Sequence, residues 1–182
     1  MVSFIATILL AGSALALPNP IGSPQMPNCV AIGENFKGWT IEDFDFHSSM
    51  TYPTPSHLDG NGYLSFALAN PGTEYRAQCV GSAHRPMDFF YSGDVWNCQI
   101  PGMPNGDHAT FSFDRASGML TIDQTWACPD SGAKFTASGA VKLDLDCEES
   151  SYQNPKWEEG QIYSSHSTYC KPVTVQAPGS LQ

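Results

Sequence analysis

The chain has 182 residues and a formal net charge of −10, from eight Lys and Arg against eighteen Asp and Glu, so polyphosphates are repelled overall and nucleic acid is a poor partner. Only 14% of its residues are charged while 12% are aromatic, with Gly (16) and Pro (14) frequent; this composition argues against disorder and fits short strands joined by turns. A chain of this length buries roughly two-thirds of the surface its unfolded form exposes, enough for one domain with a real core.

Phe4 to Leu10, followed by Ala14-Leu15-Ala16, is a short apolar run ending in an Ala-x-Ala cleavage pattern. It predicts a secretory signal over residues 1–16, although no Lys or Arg precedes the run. The run is too short to span a bilayer, and the polar end Gln176 to Gln182 is not a lipid-anchor signal. A soluble, extracellular product is expected. Residues 17–28, rich in Pro, read as an irregular lead-in to a domain over 29–175, with 176–182 as a flexible tail.

Within that domain Trp39, Ile41, Phe44 and Phe46 alternate with polar residues, but the apolar phase moves from odd to even between Ile41 and Phe44. A β-bulge produces such a shift. Met50 to His57, with Pro53 and Pro55, reads as a loop or edge segment. Asp59-Gly60-Asn61-Gly62 carries turn chemistry and opens a strand over 63–69, whose hairpin partner is Glu74 to Cys79. Pro86 to Tyr91 is an apolar loop, and Ile100 to Gly106 a turn-rich connection. Two alternating runs, around Phe111-Ser112-Phe113 and Met119 to Trp126, flank the turn Asp114 to Gly118. Phe135 to Cys147 then alternates throughout, predicting one long strand with one wet face. Glu148 to Gly160 is polar and turn-like, and Gln161 to Cys170 predicts a last strand. The fold class is all-β: a compact antiparallel β-barrel or sandwich of roughly seven to ten strands with little helix.

Six cysteines (Cys29, Cys79, Cys98, Cys128, Cys147, Cys170) follow the signal, and an even number in an exported chain implies three disulfides among fifteen possible pairings. One pairing is excluded by geometry. With Cys128 to Gly132 as the turn of the longest hairpin, Cys128 and Cys147 stand at opposite ends of a strand of about twelve residues at roughly 3.3 Å each, far beyond a bridge's reach of about 7 Å. No cysteine has zinc-site spacing, so neither a metal nor another cofactor is expected.

No catalytic residue is assigned. The histidines His47, His57, His84, His108 and His166 are scattered, show no metalloprotease spacing, and read as surface-loop residues. No Ser stands in a nucleophile elbow. The carboxylates Glu42, Asp43 and Asp45 near Trp39, Asp144 with Asp146, and Glu158-Glu159 after Trp157 could serve a glycoside hydrolase or carbohydrate-binding protein. Solvated charge on a wet strand face is the better account of Asp144 and Asp146. Met87, Phe89, Phe90 and Tyr91 form the candidate contact surface, because Met and aromatic side chains are enriched where partners dock; the competing reading is core packing of a short strand.

Taken together, Cys29 followed by Trp39-Thr40-Ile41-Glu42-Asp43-Phe44, Cys79 followed by Trp96-Asn97-Cys98, Phe111-Ser112-Phe113-Asp114 followed by Gly118-Met119-Leu120, and the late pair Cys147 and Cys170 resemble the fungal Alternaria-major-allergen-like family. That resemblance implies a secreted β-barrel without established enzymatic activity, whose relatives are allergens and elicitors or effectors engaging plant defence proteins. A plant defence protein or small ligand is the partner it implies. By position it implies bridges Cys79–Cys98 and Cys147–Cys170. The cysteine matching Cys29 can join two chains in the family, but Cys128 is an addition here, so the remaining pair would be Cys29–Cys128 and the protein a monomer. Glu148 to Tyr169 is longer than in the family, so no binding surface is carried over there.

Overall fold

The computed structural model describes residues 29–84, 93–102 and 106–182. The signal, the lead-in and the contact candidates Met87, Phe89, Phe90 and Tyr91 lie outside them. A short helix α1 (Cys29–Glu34) precedes nine strands: β1 (Gly38–Thr54), β2 (His57–Ala69), β3 (Arg76–Ala83), β4 (Trp96–Asn97), β5 (His108–Asp114), β6 (Met119–Ala127), β7 (Lys134–Lys142), β8 (Cys147–Gln153) and β9 (Ser164–Leu181). They form one antiparallel sheet in the order β3-β2-β1-β9-β7-β6-β5-β4, with β8 attached to β9. A bridge between Gln78 and Gln99 brings the two ends of this path together, giving a nearly closed eight-stranded barrel.

The interior is aromatic. Phe44 lies 5.8 Å from Phe66 and 5.2 Å from Phe113, and Phe66 meets Phe111 edge-on at 5.0 Å. Burying each such ring is worth roughly 1.5–3 kcal/mol. The bulge is where the phase shift put it: the register of β1 slips between Ile41 and Phe44, and Asp43 takes a positive φ of 52°. Ile41 and Phe44 can therefore both face the core, each fully buried.

Several elements differ from the sequence reading. Pro53 and Pro55 do not end the first hairpin early: β1 runs to Thr54, its turn is Pro55-Ser56, and Asp59 to Gly62 lies inside β2. A register slip between Thr51 and Thr54 accommodates Pro53. The alternating run from Phe135 is not one strand. Strand β7 stops at Lys142, opposite the first residue of β6, and the chain crosses to the other end of β9, where Cys147 faces Cys170. Leu143 is buried and Leu145 half-buried during this crossing, so apolar spacing persists where pairing does not. Glu148 to Gln153 forms β8 rather than a turn; it is an edge strand exposed on both faces, and so carries no alternation. The expected tail 176–182 is also corrected: β9 continues to Leu181 and pairs with β7.

Strand β9 ties the molecule together, pairing with β1, β7 and β8. Where it passes from β1 to β7, Gly139 and Gly179 lie against the Trp39 ring, and a Cβ on either would collide with Trp39 ring carbons. The disulfides are Cys29–Cys128, Cys79–Cys98 and Cys147–Cys170, with no free cysteine.

Candidate functional site

The candidate carboxylates spread over the outside. Glu42 accepts a 2.7 Å bond from Arg76 Nε, and Asp146 accepts one from Lys171 Nζ at 2.6 Å. Asp43, Asp144, Glu158 and Glu159 are exposed. Trp39, by contrast, is fully buried, so it offers no aromatic platform beside these acids. Trp157 is half-buried, its Nε1 donating to Gln161 O at 2.8 Å and Pro53 O at 3.2 Å; it pins its own loop to the end of β1.

The histidines are not loop residues as a group: His47, His57, His108 and His166 lie in strands. Three stand beside carboxylates, His47 at 3.7 Å from Asp45, His57 at 3.3 Å from Asp59 and His166 at 3.9 Å from Glu149. Among the described residues no three His, Cys, Asp or Glu side chains gather as metal ligands.

One polar cluster is internal. Gln124 Oε1 accepts from Trp39 Nε1 at 2.6 Å and from Asn70 Nδ2 at 2.8 Å; Tyr75 OH donates to Asp107 Oδ2 at 2.7 Å, and Asp107 Oδ1 accepts from Ala127 N at 2.9 Å. Burial, and then the neighbouring Asp107 carboxylate, push the Tyr75 phenol far above its ordinary value. This cluster fixes the loop 70–75 against β6, a positioning role in which a charged catalytic form of Tyr75 is disfavoured.

That loop forms one wall of a two-armed cleft. The first arm, of about 710 Å³, has an apolar lining from Ala31, Ile32, Phe36, Pro71, Ala177 and Pro178, with Lys37 and Asn35 also lining it. The second, of about 360 Å³, is polar and includes Glu42, Asn70, Thr73, Glu74, Tyr75 and Arg76. Gly38, Pro71 and Gln176 line both arms. The first arm exists because Cys29–Cys128 clamps α1 to the end of β6, and Gly33 lets the Phe135 ring lie directly against the helix. None of its lining residues stood out in the sequence, since Ile32, Pro71 and Pro178 belong to three distant segments that meet only in the fold.

A second surface lies on the outer wall, where β8, β9, β1 and β2 run side by side. Phe46, Leu64 and Cys170 point inward and are fully buried or nearly so, so their strand neighbours point out. Register places Glu148, Tyr169, His47 and Tyr63 in one outward row. Ser150, Ser167, Ser49 and Asn61 form the next, then Tyr152, Ser165, Thr51 and Asp59. The dense Ser and Tyr content of 147–153 and 163–170 was the available signal, but without the register the two segments could not be placed together.

These features define a small disulfide-clamped β-barrel with a rim cleft and no convergent catalytic group among the described residues. The family model described as Alternaria alternata allergen 1 matches residues 41–170, and the chain belongs to that family. No curated protein and no solved structure gives a significant match.

Proposed function

We propose that the protein is a fungal, secreted, allergen- and effector-like monomer that works by binding, without catalysis, and that its partner is an extracellular plant protein docked at the cleft beside α1. The observation that carries this reading is the apolar arm: its volume of about 710 Å³ lies in the range of about 300–1,000 Å³ typical of ligand pockets. An apolar side chain of a partner would enter between Ile32 and Pro71, and the surrounding polar groups would orient it. The leader pattern at residues 1–16 and the fully paired cysteines support export to an oxidising compartment. The net charge of −10 favours a neutral or basic partner over a nucleic acid or an anionic membrane.

The test is capture from plant extracellular fluid by immobilised mature protein, compared with Ile32→Asp and with the reduced protein. Ile32→Asp places a charge in the apolar arm and is expected to abolish capture of a discrete protein without altering the melting temperature. Equal capture by Ile32→Asp, or none by the wild type, overturns the assignment. A small carbohydrate-active hydrolase is the second reading, favoured by Glu42 and Glu74 lining the same polar arm. Its support is weakened because Glu42 is tied to Arg76. Sugar release by the wild type that disappears in Glu42→Gln or Glu74→Gln would establish it instead.

A further inference from the structure

We propose that the outer face of β8, β9, β1 and β2 is a second binding surface, and that its ligand is a neutral β-linked polysaccharide strand. It shares no residue with the cleft beside α1.

The face combines rings with hydroxyls and carries little charge. Tyr169 is 54% exposed, and Tyr152, on the adjacent strand, 53%. Beside Tyr169 in the same row, His47 stacks on Tyr63 with ring centroids 4.9 Å apart, which holds both rings in a fixed orientation. Between the two exposed tyrosines runs a row of hydroxyls that includes Ser167 and Ser49. In a chain of net charge −10, the carboxylates among the twelve outward positions are Glu148 and Asp59, at opposite corners, and a third, Asp45, borders the first row 3.7 Å from His47. Asp59 is moreover 3.3 Å from His57.

Each property selects against some ligands. Anionic polymers are repelled by the whole molecule, and a cationic one finds no carboxylate cluster on this face. A protein partner of ordinary affinity requires a desolvated apolar centre, whereas here the centre is serine. A pyranose ring matches the arrangement: its axial C–H groups are apolar and weakly positive, suited to the negative face of a tyrosine ring, and its equatorial hydroxyls suit a serine ladder. Tyr169 and Tyr152 lie four residues apart along neighbouring antiparallel strands, so their Cα atoms are separated by roughly 14 Å, the reach of a short oligosaccharide. Tyrosine also binds at low entropic cost, having two side-chain torsions to fix. The inward neighbours Phe46, Leu64 and Cys170 are buried, so the platform is held rigid from behind.

The experiment is co-sedimentation of the mature protein with insoluble cellulose, chitin and β-1,3-glucan, with soluble polygalacturonate as the anionic control. The wild type is expected to sediment with at least one neutral polymer and to ignore polygalacturonate. Tyr169→Ala and Tyr152→Ala should each weaken binding about tenfold, with unchanged melting temperatures and unchanged capture at the cleft. Failure of the wild type to sediment with any neutral polymer overturns the proposal. So does equal sedimentation of the double variant, or loss in the double variant of a captured protein rather than a polymer.

Discussion

The Tyr75–Asp107 pair shows how a single hydroxyl can hold a loop. Asp107 is 4% exposed and has both oxygens occupied, by Tyr75 OH and Ala127 N. Tyr75→Phe removes one donor and leaves a buried carboxylate oxygen unpaired, which should cost about 1–3 kcal/mol. It should also change the alkaline limb of the stability profile. The unfolded chain's phenol loses its proton above about pH 10, while burial and Asp107 make the folded protein keep it. The unfolded state then binds fewer protons, so this stabilisation, complete below about pH 10, drains away as pH rises. Urea midpoints measured on both proteins between about pH 9 and 11 should fall more steeply for the wild type; parallel profiles would refute the account. The sequence placed Tyr75 inside the strand expected over Glu74 to Cys79, but nothing near Asp107 marked it as the partner, because the two are joined only by tertiary contact.

At the level of elements, the most legible feature was the bulge in β1. Four large apolar residues at positions 39, 41, 44 and 46 cannot share a face of an unbroken strand, so the misfit is visible in the sequence itself. Its conformational cost falls on Asp43, at φ 52°, whose backbone N–H donates to Thr174 Oγ1 at 3.1 Å. A β-branched side chain is strained in this left-handed region, whereas glycine is not. Asp43→Val should therefore destabilise the protein by about 1–2 kcal/mol, while Asp43→Gly stays near the wild type in a denaturant titration. Equal losses would mean that the side chain, rather than the backbone, matters here. The least legible element was β8. Its residues from Glu148 to Gln153 are all exposed, and a strand with two wet faces has no hydrophobic period to read. The split of the run from Phe135 was hidden for the opposite reason: Leu143 and Leu145 remain turned toward the core after β7 has ended, so periodicity outlasted pairing.

On the scale of the whole molecule, strand content and cysteine number were legible because they follow from local alternation and composition. The cleft was not, since it depends on which remote segments the barrel's closure brings together. Cys29–Cys128 spans 99 residues, whereas Cys147–Cys170 spans 23 between directly paired strands. Loop-closure entropy then predicts losses of about 4–5 kcal/mol for Cys29→Ala/Cys128→Ala and about 3 kcal/mol for Cys147→Ala/Cys170→Ala. Guanidinium unfolding of the two double variants measures this order directly. The functional consequences should separate further. A helix of six residues is far too short to persist without its tertiary anchor, so removing the first bridge should dissolve the α1 wall and abolish partner capture while leaving the barrel folded. Removing the second frees only the start of the edge strand β8 and should leave capture intact. Capture that survives loss of Cys29–Cys128, in protein whose barrel is still folded, would mean that the partner docks elsewhere.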